Sequence, residues 1–100
     1  MNRIVHPSAL DDLEEASVFY EKQQAGLGAE VFADLSKEIA HACEGAGSHR
    51  RLGKFHRYVA GGRFPYFCIY YTLESDGVHV RAVLDHRRNP RTLRRRLREV

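Results

Sequence analysis

The sequence has little cysteine and no hydrophobic run long enough to cross a membrane. Its two cysteines, Cys43 and Cys68, form no CxxC pair and are predicted to be buried thiols that pack as small apolar groups. No stretch of about 18 apolar residues occurs, so no membrane-spanning helix is predicted. Residues 1–7 contain no apolar stretch that a signal peptide would need. We therefore expect a cytoplasmic protein that makes no contact with a membrane.

The sequence also lacks the motifs of the common catalytic and cofactor sites. Its six histidines are scattered, with no HExxH and no Cys/His pair at zinc spacing. The glycines suit turns and helix ends, and no phosphate-binding glycine loop is present. The paired carboxylates at 11–12 and 14–15 stand at a predicted helix start, where the helix dipole accounts for them. Neither a metal nor a cofactor is expected.

Charge is divided unevenly along the chain, although the net charge is only +3. Residues 1–48 hold three Lys or Arg and nine Asp or Glu, whereas residues 49–100 hold thirteen and four. With 100 residues the chain is predicted to form a single domain, 1–100, so both halves share one surface. The asymmetry indicates a face for a polyanion or an acidic partner, unless the two halves neutralise each other across the fold.

Hydrophobic periodicity predicts one strand and two helices in the first half. Arg3–His6 is short, β-branched and followed by proline, which is typical of a strand. A helix is expected over Ser8–Gln24, with Ser8 and Asp11 close to a capping box, and a second helix over Gly28–Glu44. The glycines between them indicate a helical hairpin. The expected apolar faces are Ala9, Leu13, Ala16 and Tyr20 on the first helix and Val31, Phe32, Leu35, Ile39 and Ala42 on the second.

The second half changes to a strand pattern. The predicted strands are Phe55–Val59, Tyr66–Leu73 and Val78–Asp85, and Thr92–Glu99 is predicted to be a short basic helix or a frayed tail. Even-numbered apolar residues of the last strand, 78 to 84, are expected to share one face. The predicted fold class is α+β, in two layers: the N-terminal strand joins a three-stranded antiparallel meander, and the α-helical hairpin packs on one side. The terminal helix has a thin apolar stripe and is expected to be mobile.

Arginines of the second half supply the candidate site, because arginine binds phosphate or carboxylate with two hydrogen bonds. In a metal-independent nuclease they would hold the scissile phosphate, and a histidine would act as general acid or base. The catalytic candidates are Arg57, Arg63, His86 and Arg88. The candidates for contact with a target or an acidic protein are Arg81, His86, Arg87, Arg88, Arg91, Arg94 and Arg95. A solvated basic face stays open as an alternative, and the aromatic residues of the central strand are predicted to pack rather than to stack on bases.

Four stretches in order resemble the RelE/ParE toxin superfamily over nearly the whole chain. They are Leu13–Glu21, Gly26–Leu35, Phe64–Tyr70 and Ala82–Pro90, the last containing the sequence His-Arg-Arg-Asn-Pro. The resemblance implies the toxin of a type II toxin–antitoxin pair, a cytoplasmic growth inhibitor. It also implies neutralisation by a cognate antitoxin whose extended or helical segment wraps the toxin.

The two branches of this superfamily differ in their target. RelE-like members cleave messenger RNA on the ribosome, and ParE-like members act on DNA gyrase. RelE-like enzymes place an arginine after the tyrosine of the central strand, where this chain has Phe67. They place lysines on the preceding strand, where this chain has Tyr58 and Ala60, and only Arg88 matches their basic residue after the last strand. These departures favour the ParE-like branch.

The sequence is compatible with three functions. The favoured one is a ParE-like toxin that binds gyrase without catalytic residues of its own. The alternatives are a ribosome-dependent endoribonuclease and an inactive toxin retained as a co-repressor. The expected partners are an acidic antitoxin and either gyrase or the ribosome with its messenger RNA, with DNA contacted only through the antitoxin complex.

Overall fold

The computed structural model describes residues 2–100 of the chain. Those residues form an α+β fold, so the fold class predicted from the sequence is confirmed. In chain order the elements are β1 (Arg3–Val5), α1 (Pro7–Gln23), α2 (Leu27–Glu44), β2 (Arg50–Leu52), β3 (Phe55–Val59), β4 (Phe67–Glu74), β5 (Gly77–Asp85) and α3 (Pro90–Glu99).

The strands form one sheet in the order β1-β5-β4-β3-β2. β1 returns to the sheet, as predicted, and pairs in parallel with Val78–Val80 of β5, whereas the other neighbours are antiparallel. The three predicted strands, here β3, β4 and β5, form an antiparallel meander as expected. The meander also has a fourth strand that was not predicted, β2. Its three residues, Arg-Arg-Leu, are all exposed, so they carry no apolar alternation that would have indicated a strand.

The start of α1 differs from the predicted capping box. The helix begins at Pro7, whose missing N–H suits the first helical turn, and His6 is its N-cap residue without a side-chain hydrogen bond. Ser8, expected to cap the helix with Asp11, instead donates its hydroxyl to the carbonyl of Arg81 at 2.7 Å. The prediction was wrong because a side chain one residue inside the helix points to the neighbouring strand. The hydroxyl therefore attaches α1 to β5.

The turn between α1 and α2 is closed by Glu21. Its carboxylate accepts hydrogen bonds from the amides of Gly26 and Gly28 at 3.0–3.1 Å, which satisfies N–H groups at the start of α2. These bonds hold the pKa of Glu21 below its usual value. Ser17 donates to the Gly28 carbonyl at 3.1 Å, so the helices approach closely at this glycine. The α-helical hairpin predicted from the glycines is thus held by polar contacts from α1.

A β-bulge in β5 overturns the expectation of one apolar face along that strand. Tyr71 pairs with Val80 and Tyr70 pairs with Ala82, so Arg81 has no partner of its own on β4. The extra residue reverses the side-chain alternation. Val78 and Val80 therefore lie in the core under the helical hairpin, whereas Ala82 lies in a second cluster with residues of the opposite sheet face.

Both faces of the sheet are covered, but the area covered on one face is larger than on the other. The helical hairpin packs on one face and forms the larger core with it, and α3 covers part of the other face. The smaller cluster on that face consists of Phe55, Cys68, Tyr70, Ala82 and Leu84, against which Leu93, Leu97 and Val100 are packed. α3 begins at Pro90, two residues earlier than predicted, because the Asn89 side chain accepts from the Arg91 amide and caps it.

A few residues differ in burial from what the sequence predicted for the core. Phe32, expected on the apolar stripe of α2, is 46% exposed, whereas the other four residues of that stripe are buried. Cys68 is buried, as predicted, and burial raises the pKa of its thiol to about 11, whereas Cys43 is only half-buried. None of the helices within residues 2–100 is both long and apolar enough to cross a membrane.

Candidate functional site

A groove of about 730 Å³ lies between α1 and the end of β5. Its apolar lining includes Val18 and Phe19 of α1, which are 49% and 53% exposed, and Phe67 at the start of β4. Basic side chains, Lys22, Arg87 and Arg88, lie around it. Exposed apolar side chains next to basic groups are typical of a surface that binds another chain.

The outer edge of β5 runs along this groove without a neighbouring strand. β1 pairs only as far as Val80, so β5 from Arg81 onward faces α1 instead of another strand. The Val83 amide donates to the Asp12 carboxylate at 2.9 Å, which occupies one edge position. The pairing register directs the Val83 carbonyl and the Asp85 amide to the same outer edge. Such an edge can pair with an added extended segment.

Asp12 is the buried carboxylate of this region and the residue that sequence reasoning most clearly missed. Besides the Val83 amide, it accepts from Arg96 of α3 at 2.5 Å. Burial raises its pKa to about 6, although the hydrogen bond from Val83 and the charge of Arg96 act in the opposite direction. The helix-dipole interpretation of this carboxylate is therefore wrong. A contact between residues 12 and 96 leaves no local signal in the sequence.

The four catalytic candidates lie at three separate places in the fold. Arg57 and His86 lie together on the sheet face that α3 partly covers, joined through Tyr70, which pairs with Arg57 across β3 and β4. The Tyr70 hydroxyl is 2.7 Å from His86 Nε2, and the two rings are stacked at an interplanar angle of 16°. Arg63, by contrast, forms an ion pair with Glu30 of α2 at 2.8 Å.

The fourth candidate, Arg88, forms an ion pair with Glu15 of α1, beside the groove. The structure therefore does not assemble the four-residue set that the nuclease interpretation requires. The pKa of His86 is nevertheless shifted below its ordinary value. Burial lowers its pKa first, and the nearby charge of Arg57 lowers it further. Tyr70, which the sequence pattern indicated only as a packing residue, is the group that connects Arg57 to His86.

Most of the predicted binding arginines already have partners within the chain. Arg81 contacts Glu74 at 3.3 Å, and Arg95 lies 3.9 Å from Glu99 of its own helix. Arg87 contacts Asp85 at 2.7 Å, which raises the arginine's pKa, and its guanidinium lies 4.0 Å above the ring of Tyr66. Arg91 and Arg94 have no carboxylate within 4.0 Å among residues 2–100.

Three ion pairs connect the acidic first half to the basic second half. They are Glu30–Arg63, Glu15–Arg88 and Asp12–Arg96. The acidic half therefore neutralises part of the charge of the basic half, which is one of the two alternatives that the sequence allowed, but the neutralisation is incomplete. Within the described residues, the cations of the second half without a carboxylate inside 4.0 Å are Arg50, Arg51, Lys54, Arg57, Arg91, Arg94 and Arg98.

These unpaired cations belong to α3 and to the β2–β3 hairpin. Lys54, in the turn of that hairpin, donates to the carbonyl of Val100 at 3.1 Å, so the end of α3 lies beside it. Arg50 and Arg57 are directly opposite each other across β2 and β3. Like charges at opposite positions destabilise a strand pair, so this surface is electrostatically suited to an anionic partner.

No cluster of three or more His, Cys, Asp or Glu suited to a metal ion occurs within residues 2–100. Comparison with models of protein families gives no match, and comparison with curated proteins gives no significant match. The functional assignment therefore depends on the residues and geometry described above.

Proposed function

We propose that this protein is the toxin component of a type II toxin–antitoxin system. It is ParE-like and acts in the cytoplasm as a growth inhibitor that binds DNA gyrase, and an acidic cognate antitoxin neutralises it. Two things support this proposal: the four stretches that resemble the RelE/ParE superfamily and the α+β fold with a helical hairpin. Neither a metal nor a cofactor takes part in the proposed activity.

The groove between α1 and β5 is the single observation that carries the proposal. An extended antitoxin segment would add to the outer edge of β5 through the Val83 carbonyl and the Asp85 amide. Its apolar side chains would cover Val18 and Phe19, both about half exposed. Its acidic side chains would face Lys22, Arg87 and Arg88, and would compete for the two arginines with the groove's own carboxylates, Asp85 and Glu15.

The ion pair between Arg88 and Glu15 does not prevent such binding. Both side chains are substantially exposed, at 41% and 58%, so the pair is open to solvent. Exposed ion pairs contribute only about 0–1 kcal/mol to stability, and exchanging Glu15 for a carboxylate of the partner therefore costs little. The same surface can serve the antitoxin without loss of the toxin fold.

The separation of the catalytic candidates supports inhibition by protein binding in preference to RNA cleavage. Arg63 and Arg88 are engaged by Glu30 and Glu15 in positions away from His86. Of the four predicted catalytic residues, only Arg57 stays beside His86 as a cation, so the predicted set does not supply the several contacts that stabilise the charge of the transition state. Gyrase as the target follows from the ParE-like character of the resemblance.

Controlled expression in a bacterial host tests the proposal. We expect growth arrest with induction of the SOS response and altered plasmid supercoiling, while the 5′ ends of cellular messenger RNAs stay unchanged. Normal supercoiling together with growth arrest would contradict the gyrase target. The absence of any growth effect would instead support an inactive toxin retained as a co-repressor.

A RelE-like endoribonuclease is the second candidate, because one observation favours it. Arg57, Tyr70 and His86 form a connected cationic and acid–base group on the face beside α3. If this group is catalytic, His86→Gln and Arg57→Gln abolish cleavage of ribosome-bound messages, and Arg63→Gln, whose guanidinium faces Glu30, leaves cleavage unchanged. Intact messages in cells expressing the unaltered protein would exclude this candidate.

A further inference from the structure

Four polar side chains form a hydrogen-bonded chain where β1 meets β5. Arg81 Nη1 lies 3.5 Å from His6 Nδ1, and His6 Nε2 lies 2.8 Å from His79 Nδ1. His79 Nε2 in turn lies 2.6 Å from a carboxylate oxygen of Asp76. The chain thus connects a guanidinium on β5 to a carboxylate in the β4–β5 turn through two imidazole rings. None of these contacts has a part in the proposed function.

The ends of this chain determine where the protons lie. The Asp76 carboxylate only accepts hydrogen bonds, so His79 Nε2 must carry a proton, and His79 Nδ1 of the neutral ring is then an acceptor. His6 Nε2 must therefore donate to it, which leaves His6 Nδ1 without a proton. That nitrogen faces Arg81, which only donates. All three contacts are satisfied when both imidazoles are neutral.

An additional proton on either imidazole ring would find no acceptor among these four side chains. A proton on His6 Nδ1 would direct an N–H group at the Arg81 guanidinium. A proton on His79 Nδ1 would face the N–H of His6, and reversing the His6 tautomer would only transfer the conflict to Arg81. Arg81 itself is held in place, because its Nε donates to Thr72 at 3.1 Å and its Nη2 donates to Glu74 at 3.3 Å.

His6 is also the residue that joins β1 to α1. Its amide donates to the Val80 carbonyl at 3.0 Å, and its carbonyl accepts from the amides of Ala9 and Leu10 in the first turn of the helix. β1 has only three residues and pairs with β5 alone. A change at the His6 ring therefore acts on an edge strand that pairs with the sheet through only three residues.

The charges around the two rings oppose each other. Arg81 and His79 on β5 face His6, as do Glu74 at the end of β4 and Asp76 in the following turn. Burial lowers the pKa of His6 first, Arg81 and His79 lower it further, and the two carboxylates raise it. The net shift is downward, so the folded protein binds a proton at His6 less readily than the unfolded chain does.

We propose that Arg81, His6, His79 and Asp76 form a proton-sensitive clasp, which holds β1 on β5 near neutral pH and releases it in mild acid. Because the pKa of His6 is lowered in the folded protein, its contribution to stability is complete above 6.5, the ordinary value, and is lost as the pH falls below it. Release of β1 would extend the unpaired outer edge of β5 back to Val78.

Nitrogen-15 NMR of the histidine rings tests the geometry of the clasp in the unaltered protein. At about pH 7.5 we expect a proton on Nε2 and none on Nδ1 for both His6 and His79. A proton on His6 Nδ1 at this pH would overturn the proposal, because the donors and acceptors of these hydrogen bonds would then be arranged differently. This measurement does not depend on any variant being able to fold.

Amide hydrogen exchange tests the release of β1. The amides of His6 and Val78, which bond to Val80 and Asn2, report the pairing of β1 with β5, and Ile69 in central β4 is the reference. Between about pH 7.5 and 5.5, the protection factors of the first two are expected to fall at least about ten-fold more than that of Ile69. Equal changes at all three amides would overturn the proposal.

Histidine variants test which side chains the pH response requires. His6→Gln combined with His79→Gln is expected to remove the pH response of the amides at positions 6 and 78. His41→Gln removes a histidine that lies on α2 near Glu38, with 59% of its side chain exposed, and is expected to leave the response unchanged. A response that persists in the double variant would show that other groups control β1, against the proposal.

Discussion

Asp12 of the first helix and Arg96 of the last helix are in direct contact, with 2.5 Å between Asp12 Oδ1 and Arg96 Nη2. The second oxygen of the same carboxylate accepts from the Val83 amide on the open edge of β5. One side chain therefore attaches α3 to α1 and also satisfies an amide that β1 does not reach. Because only 5% of the Asp12 side chain is exposed, water cannot replace these partners readily.

Asp12→Ala is expected to lower the free energy of unfolding by about 2–4 kcal/mol, because it leaves both Arg96 and the Val83 amide without their partner. Urea unfolding followed by circular dichroism measures the change. Asp12→Asn is the matched control, since its amide oxygen can still accept from Val83. A loss in Asp12→Asn equal to that in Asp12→Ala would contradict a separate contribution of the Val83 hydrogen bond.

Stability should also depend on pH through Asp12. The pKa of Asp12 is about 6 in the folded protein, above its ordinary value of 3.8, so the folded state binds a proton that the unfolded chain has released. The contribution of this group to the free energy of unfolding is therefore expected to decrease as the pH rises through the window from 3.8 to about 6. Thermal unfolding across this window, in the unaltered protein and in Asp12→Asn, measures it.

The variant separates Asp12 from the other titrating groups, because its side chain cannot ionise. The difference in unfolding free energy between the unaltered protein and Asp12→Asn should decrease as the pH rises through the window. A constant difference would show that Asp12 has the same proton affinity in the folded and unfolded states. His6 acts in the opposite direction at pH values below 6.5, since its lowered pKa favours the fold at higher pH.

The sequence predicted the helical hairpin well, because its signals are local. The apolar stripe from Ala9 to Ala16 on the first helix, and the glycines before α2, are patterns formed by residues that are close together in the sequence. The strand Phe55–Val59 was predicted with its observed bounds for the same reason. The two helices are specified by side chains whose periodicity matches a single buried face, whereas Phe55–Val59 has buried residues on both faces.

Features that depend on distant residues could not be predicted in this way. The bulge at Arg81 shifts the register of β5 by one residue, which moves Ala82 and Leu84 to the opposite face without any change in sequence pattern. The pairing of β1 with β5 and the contact of Asp12 with Arg96 join residues more than 70 positions apart. The arginines of the candidate site were recognised from composition, but their partners depended on this long-range geometry.

The close approach of the two long helices gives a test of the hairpin. A Cβ atom on Gly28 would lie 2.6 Å from the backbone carbonyl oxygen of Ser17, so a larger residue forces α1 and α2 apart. Gly28→Ala is expected to reduce the free energy of unfolding by about 1–3 kcal/mol. Gly61→Ala is the control, because a Cβ there meets no atom within 4 Å. Equal unfolding midpoints in urea for both variants would contradict the steric explanation.

The groove between α1 and β5 can be tested with two substitutions on the same helix. Val18 lines the groove, whereas Leu10 does not, and both side chains are 49% exposed. Val18→Asp is expected to weaken binding of the proposed acidic antitoxin by at least about ten-fold, because it places a buried, like-charged carboxylate against the bound segment. Isothermal titration calorimetry measures the affinity, and circular dichroism verifies that each variant is folded.

Leu10→Asp introduces the same charge on the same helix and is expected to leave the affinity within about two-fold, since surface substitutions away from an interface change energies by less than about 0.5 kcal/mol. The comparison therefore distinguishes local contact in the groove from a general electrostatic effect of one added carboxylate. A loss of affinity that is equal in the two variants would place the proposed antitoxin on another surface, and the unpaired arginines of α3 would be the first to examine. Unchanged affinity in both would exclude the groove as the binding site.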